Sequence, residues 1–151
     1  MFREERYLDY IYYEGIPKAS VLNGIMDLHE HVFEGSQLRE EKLAEKENLI
    51  IFVACDRERV VGFKIGYKYS SDTFYSWLGG VHTDYRGNGI ASELMRRQHA
   101  LIKSLGYINV RTISRNIKRE MLILNIKFGF NVIETFVSEK GKHKIVLEKE
   151  L

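Results

Sequence analysis

Apolar and polar positions change rhythm several times along this chain, and each change marks an element. Val61, Phe63, Ile65, Tyr67 and Tyr69 alternate strictly, so Val60–Tyr69 reads as a strand with one covered face. Leu49–Cys55 before it is almost continuously apolar, the pattern of a central strand. Phe74–Val81 is a third strand. The polar turns Asp56-Arg57-Glu58-Arg59 and Ser70-Ser71-Asp72 separate the three, which predicts an antiparallel meander whose register follows the alternation. Tyr7–Glu14 is aromatic and β-branched and reads as a first strand, ended by Gly15-Ile16-Pro17. Elsewhere the spacing is helical. Val21, Leu22, Ile25, Leu28 and Val32 recur within Lys18–Val32; Ile90, Leu94, Leu101 and Leu105 recur downstream, with Gly106 as the stop.

Ser36 is placed to cap a second, highly charged helix ending near Glu47. Tyr107–Ile113 reads as a strand. If it lies parallel to Phe74–Val81, the helix from Ile90 is the crossover between them. Ser114–Arg119 is a polar connection. Glu120–Phe128 is a helix ending at Gly129, and Phe130–Ser138 with Lys142–Leu147 forms a closing hairpin turning at Glu139-Lys140-Gly141. The pattern predicts one α/β domain over residues 1–151, a mixed sheet of six to seven strands with helices on both faces.

Composition narrows the function classes. A length of 151 residues suits one domain with a proper core. A net charge of +2, with both signs mixed, argues against nucleic acid as a partner. The longest apolar run is far too short to cross a bilayer, and Met1–Arg6 lacks the apolar core of a signal peptide, so a cytoplasmic protein is expected. The single Cys55 sits in an apolar run and reads as a buried thiol. His29 and His31 are two apart and do not share a helix face, so no metal site is expected.

The chemistry concentrates in Gly79-Gly80-Val81-His82-Thr83-Asp84-Tyr85-Arg86-Gly87-Asn88-Gly89-Ile90-Ala91, where a strand runs into a glycine loop and then a helix. The first turn of a helix presents unpartnered N–H groups and partial positive charge. Glycines let the backbone approach a ligand, and an arginine adds charge-assisted bonds. The stretch therefore serves either as a phosphate cradle or as a strand-to-helix turn with no ligand. A dinucleotide fingerprint is disfavoured, because Ser92 stands where its third glycine belongs and the meander is the wrong preceding fold.

Arg86-x-x-Gly89-x-Ala91 resembles the R/Q-x-x-G-x-G/A loop of the GCN5-related N-acetyltransferases, the GNAT family. Val81–Tyr85 resembles that family's lead-in. Asn116 and the helix Met121–Phe128, closing on Gly129-Phe130, resemble its late helix. The matched stretches span Phe74 to Phe130, and the order of elements agrees. The resemblance implies a GNAT-like sheet and transfer of an acetyl group from acetyl-CoA, by direct attack in a ternary complex, to a primary amine of a small molecule or peptide. It also implies that Arg86, Gly87, Asn88, Gly89, Ile90 and Ala91 hold the pyrophosphate. Gly80, Val81 and His82 would run beside the pantetheine arm, with Asn116 and Asn125 touching it. The early helices would line the acceptor cleft.

A lysine-like amine has a pKa near 10.4, so about one in a thousand is free at neutral pH, a cost of about 4 kcal/mol unless a base removes the proton. His82 is one candidate base; Tyr75 or Ser76 holding a water is another. Many relatives carry a tyrosine, as acid to the leaving thiolate, where this chain has Asn125. That departure leaves a non-catalytic acyl-CoA-binding module as the alternative. The aromatic first strand and the last hairpin are edges able to pair in a homodimer.

Overall fold

The structure is a computed structural model that describes residues 7–151. Met1–Arg6, read above for a leader segment, lie outside the described residues. One seven-stranded sheet runs in the order β1-β2-β3-β4-β5-β7-β6. Its strands are β1 (Asp9–Glu14), β2 (Ile50–Asp56), β3 (Arg59–Lys68), β4 (Thr73–Val81), β5 (Asn109–Arg115), β6 (Asn131–Val137) and β7 (His143–Glu150). The helices are α1 (Ala19–Val32), α2 (Glu40–Ala44), α3 (Ile90–Ser104) and α4 (Arg119–Lys127). Strands β1 to β4 are the expected antiparallel meander, β4 and β5 pair in parallel across α3, and the closing hairpin inserts β7 beside β5.

Two apolar layers enclose the sheet. On one face α1 and α2 bring Leu22, Ile25, Leu28 and Leu43 onto Ile51, Val53, Phe63 and Ile65. On the other, α3 brings Ile90, Leu94, Met95 and Ile102 onto Phe52, Ala54, Phe74 and Leu147, with Leu122 of α4 and its C-cap Phe128 at the margin. Helices on both faces bury β3 on both faces too. The positions that alternate with Phe63 and Ile65 are Gly62, Lys64 and Gly66. Two of these are glycines because helix or ring atoms fill the space: a β-carbon on Gly62 would lie 2.9 Å from Ile90. Lys64 is left as a buried cation in the middle of the domain, 9% exposed.

Three boundaries differ from the sequence reading. Ser36 does not cap a helix. Residues 36–39 form no regular element, Arg39 occupies the N-cap with extended backbone, and α2 is a single turn. Leu38 and Leu43 are both buried, and five residues on one helix would set them about 140° apart, so the chain breaks to let both reach the core. Strand β5 starts at Asn109, because the Ile108 and Asn109 amides both bond the Asp72 carbonyl and the Tyr107 ring stacks edge-on against Phe74. Strand β7 runs on to Glu150, pairing with β5 along its whole length.

Candidate active site

The sheet opens where the sequence placed its chemistry. The parallel ladder of β4 with β5 covers only Thr73–Ser76 against Asn109–Thr112, although β4 continues to Val81 and β5 to Arg115. The Thr112 hydroxyl donates to the Ser76 carbonyl at 2.9 Å and closes the vertex. Beyond it the two strands diverge. Between β3 and β4 the register slips just past this point: Ser76 faces Gly66 and Leu78 faces Ile65, leaving Trp77 as a bulged residue.

The bulge decides which backbone groups face the opening. The His82 amide donates to the Val61 carbonyl at 2.8 Å, which makes Gly62–Val81 a non-hydrogen-bonded pair. By alternation Gly80 spends its backbone groups on Phe63, while Gly79 and Val81 point theirs toward β5. Gly80 therefore keeps its backbone groups within the sheet. Its Cα instead faces α1, where a β-carbon would lie 3.0 Å from Val32. Gly79, one residue earlier, is the open position. Alternation alone could not find it, because the bulge shifts the count by one.

At the mouth of the opening β4 passes through a single 3₁₀ turn, Thr83–Tyr85, into the glycine loop. Gly87 and Gly89 take left-handed φ values of 80° and 76°, and a β-carbon on either would meet nothing within 4 Å. Gly89 is the N-cap of α3 and offers no side chain, so the first amides of α3 at Ile90, Ala91 and Ser92 have no side-chain cap. The Ile90 side chain is buried and anchors the turn, so its contribution there is its backbone amide. Asn88 folds back to donate to the Tyr85 carbonyl at 2.9 Å, bracing the loop. Arg86 donates through Nε to the Val81 carbonyl at 3.3 Å, which leaves its terminal nitrogens at the exposed mouth.

His82 is tied down on every side. Its Nδ1 accepts from the Asp84 amide at 3.1 Å, Nε2 lies 3.1 Å from the Arg59 guanidinium, and its ring stacks on His31 with centroids 4.2 Å apart. The His31 Nε2 reaches the Thr83 hydroxyl at 3.0 Å. Burial, the neighbouring imidazole and Arg59 hold the His82 pKa below the usual imidazole range. Both neighbours are donors and a neutral imidazole accepts at one nitrogen only, so one contact is a hydrogen bond and the other a close approach; with the His31 stack they set His82 at the corner where α1, β3 and the loop meet.

The two faces of the opening differ in kind. On the α1–α2 face, Tyr67, Tyr75 and Trp77 form an aromatic wall. The Lys46 ammonium sits 4.8 Å from both the Tyr67 and Trp77 ring centroids. Burial pushes the Tyr75 hydroxyl up to about 12, so it stays protonated. On β5 and β7 beside this wall, Arg111 and Glu148 form an ion pair at 2.7 Å. The α3–α4 face, apolar for the most part, carries a group of polar side chains. It holds Lys64, Gln98, His99, Asn125 and, 3.3 Å from His99, Lys149. Burial and the two lysines drive the His99 pKa down to about 3. Asn125 is 4% exposed with no side-chain hydrogen bond among the described residues. Asn116 is exposed on the turn after β5, its amide bonding the His143 carbonyl; Lys118, not Asn116, is the N-cap of α4.

A cavity of about 820 Å³ lies at the opposite end of the sheet, among Glu14, Ile16, Leu43, Lys46 and Tyr107, away from the glycine loop. Among the described residues no group of three metal-ligating side chains occurs, and no helix is long and apolar enough to cross a membrane.

A family model described as an acetyltransferase (GNAT) domain matches residues 47–132. A search of curated protein sequences found no match. Among solved structures, the fold is similar to the ribosomal-protein-S18-alanine N-acetyltransferase from Escherichia coli, with a TM-score of 0.78, 14% identity and 94% of each chain covered. It is similar to Ard1 from Thermoplasma volcanium, at 0.75 and 18% identity, covering 94% of this chain and 97% of that one. A third is a GNAT family acetyltransferase from Elizabethkingia anophelis with acetyl-CoA bound, at 0.72 and 17% identity, covering 95% and 98%.

Proposed function

Because this chain belongs to the GNAT acetyltransferase family, we propose that it transfers the acetyl group of acetyl-CoA to a primary amine, by direct attack with both substrates bound. The observation that carries this reading is the opening between β4 and β5, which begins at Ser76 and runs into the free amides at the start of α3. A pyrophosphate suits those amides, the Gly87 and Gly89 loop and the terminal nitrogens of Arg86. An amide-bearing arm suits the outward backbone groups of Gly79 and the outward amide of Val81, whose carbonyl already accepts from Arg86. When bound, acetyl-CoA supplies an activated thioester. The chain's task is to orient it, donate hydrogen bonds from the β4 edge to the acyl oxygen, and remove a proton from the amine.

The acceptor approaches, in this reading, over the α1–α2 face. Lys46 already rests its ammonium on Tyr67 and Trp77, so this face accepts a cation. The unpaired, buried Cys55 fits a reducing, cytoplasmic compartment. Strand β6 is an exposed edge carrying Val132, Ile133, Phe136 and Val137, and it supports the homodimer expectation, which sedimentation would test.

Asn125 cannot donate as an acid, which favours a second reading as an acyl-CoA-binding module without turnover. One experiment separates the two. Thermal shifts with acetyl-CoA, CoA and NAD are read on wild type, followed by thiol release from acetyl-CoA across a panel of amines. Shifts with both CoA species and thiol release support the transferase. Shifts without release support the module. No shift with either CoA species overturns both.

A further inference from the structure

The reaction needs a proton for the departing sulfur, and Asn125 cannot supply one. The structure offers another group in the same layer. Lys64 lies on β3 directly opposite Gly79, in a non-hydrogen-bonded pair whose residues stand close. Its Nζ is 4.0 Å from where a Gly79 β-carbon would be, over the one position of β4 that lacks a side chain and turns its backbone toward the opening. The residue is 9% exposed and makes no side-chain hydrogen bond or ion pair with any described residue.

Leaving a buried ammonium unpaired is costly, and folds keep such a group only with a partner. The elements around it supply none. The titratable groups linked to it across the layer are His99 of α3 and, 3.3 Å from His99, Lys149 of β7, and neither is a carboxylate. Gln98 is fully buried with neither amide atom bonded, a second sign that this layer is completed by something absent from the chain itself.

Given the acetyl-CoA reading, on which this rests, direction follows. The pyrophosphate belongs at the loop, so the thiol end of the arm belongs toward the closed vertex at Ser76 and Thr112. Gly79 lies between the two. We propose that Lys64 is the acid that protonates the departing CoA sulfur. As the acceptor nitrogen bonds to the acyl carbon, the carbon–sulfur bond breaks and its electron pair goes to sulfur. One proton passes from Lys64 Nζ to that sulfur. The neutral Lys64 amine then regains a proton, through solvent, equivalent to the one lost by the acceptor nitrogen. Burial has already pulled the Lys64 pKa down to about 8, close to that of a thiol near 8.5, so neither partner holds the proton strongly.

The test compares CoA with desulfo-CoA, which lacks only the sulfur, by calorimetry from pH 7 to pH 9 on wild type and Lys64→Met. Wild type is expected to prefer CoA with a maximum at about pH 8, where ammonium and thiolate coexist, and less at pH 7 and at pH 9, where Lys64 has lost its proton; a bound thiol at least one unit more acidic than free thiol corresponds to about tenfold tighter binding of the thiolate by the protonated enzyme. Lys64→Met should bind desulfo-CoA as wild type does and lose the preference for CoA. Its apo form should melt higher, because an unpaired buried cation is gone. A pH-independent preference in wild type, which needs no variant, overturns the proposal, as does an undiminished preference in folded Lys64→Met. If wild type binds neither compound, the acetyl-CoA reading falls and this proposal with it.

Discussion

Val32, the last residue of α1, stands against the backbone of Gly80 so closely that a β-carbon there would come within 3.0 Å of it. Helix α1 is thus seated directly on the strand that borders the opening in the sheet. Gly80→Ala is expected to destabilise by about 1–3 kcal/mol through overpacking, and Val32→Ala in the same chain should recover most of it. Gly79→Ala, where the nearest atom is the Phe63 carbonyl at 3.4 Å, should lose less stability but weaken CoA binding. Urea midpoints and CoA titrations on the four proteins check both statements.

Gly89 separates backbone strain from anion binding. Its φ of 76° costs any other L-residue about 1–2 kcal/mol. Gly89→Ala and Gly89→Glu should therefore lose similar stability. Only the glutamate places negative charge at the amides of α3, so it alone should abolish the thermal shift with CoA. Equal retention in both would detach the cofactor from this loop.

His99 sets an acid limit. Its folded pKa near 3 lies below the 6.5 of an unfolded imidazole, so the unfolded chain binds the extra proton. The stability that the neutral ring supports is whole above about pH 6.5 and falls as pH drops toward 3, by at most about 1.4 kcal/mol per unit. Urea melts at pH 7, 5.5 and 4.5 should show that slope in wild type and a flatter one in His99→Leu.

Trp77 is the chain's only tryptophan, so its emission reports the aromatic wall without ambiguity. Lys46→Ala removes the ammonium 4.8 Å from its ring. An alkylammonium titrated into Lys46→Ala should change Trp77 emission more strongly than in wild type, and the alcohol of equal length should not. Identical responses to amine and alcohol would remove the cation preference assigned to this face.

Much of this was legible in the chain. Hydrophobic rhythm marked the meander, the crossover helix and the closing hairpin, because each buries a periodic set of side chains. The loop was legible because its two αL positions demand glycine. What escaped has physical causes. The Trp77 bulge is a backbone slip with no side-chain signature, and it moves the outward position from Gly80 to Gly79. Lys64 reads as the polar side of an alternating strand until α3 is seen to cover that face. His82 has the chemistry of a base, but its neighbours Arg59 and His31 come from β3 and α1, two segments whose meeting no local pattern announces.

Counted by its joints, the seven-stranded sheet is two panels, a meander of four strands and a trio, held edge to edge by a ladder only four residues long. Such a seam can flex. A molecule laid along the unpaired part of β4, touching both panels, would act as a splint, and its departure would restore the play. The turnover of such a domain would then be paced by the opening and closing of its own sheet as much as by the breaking of a bond.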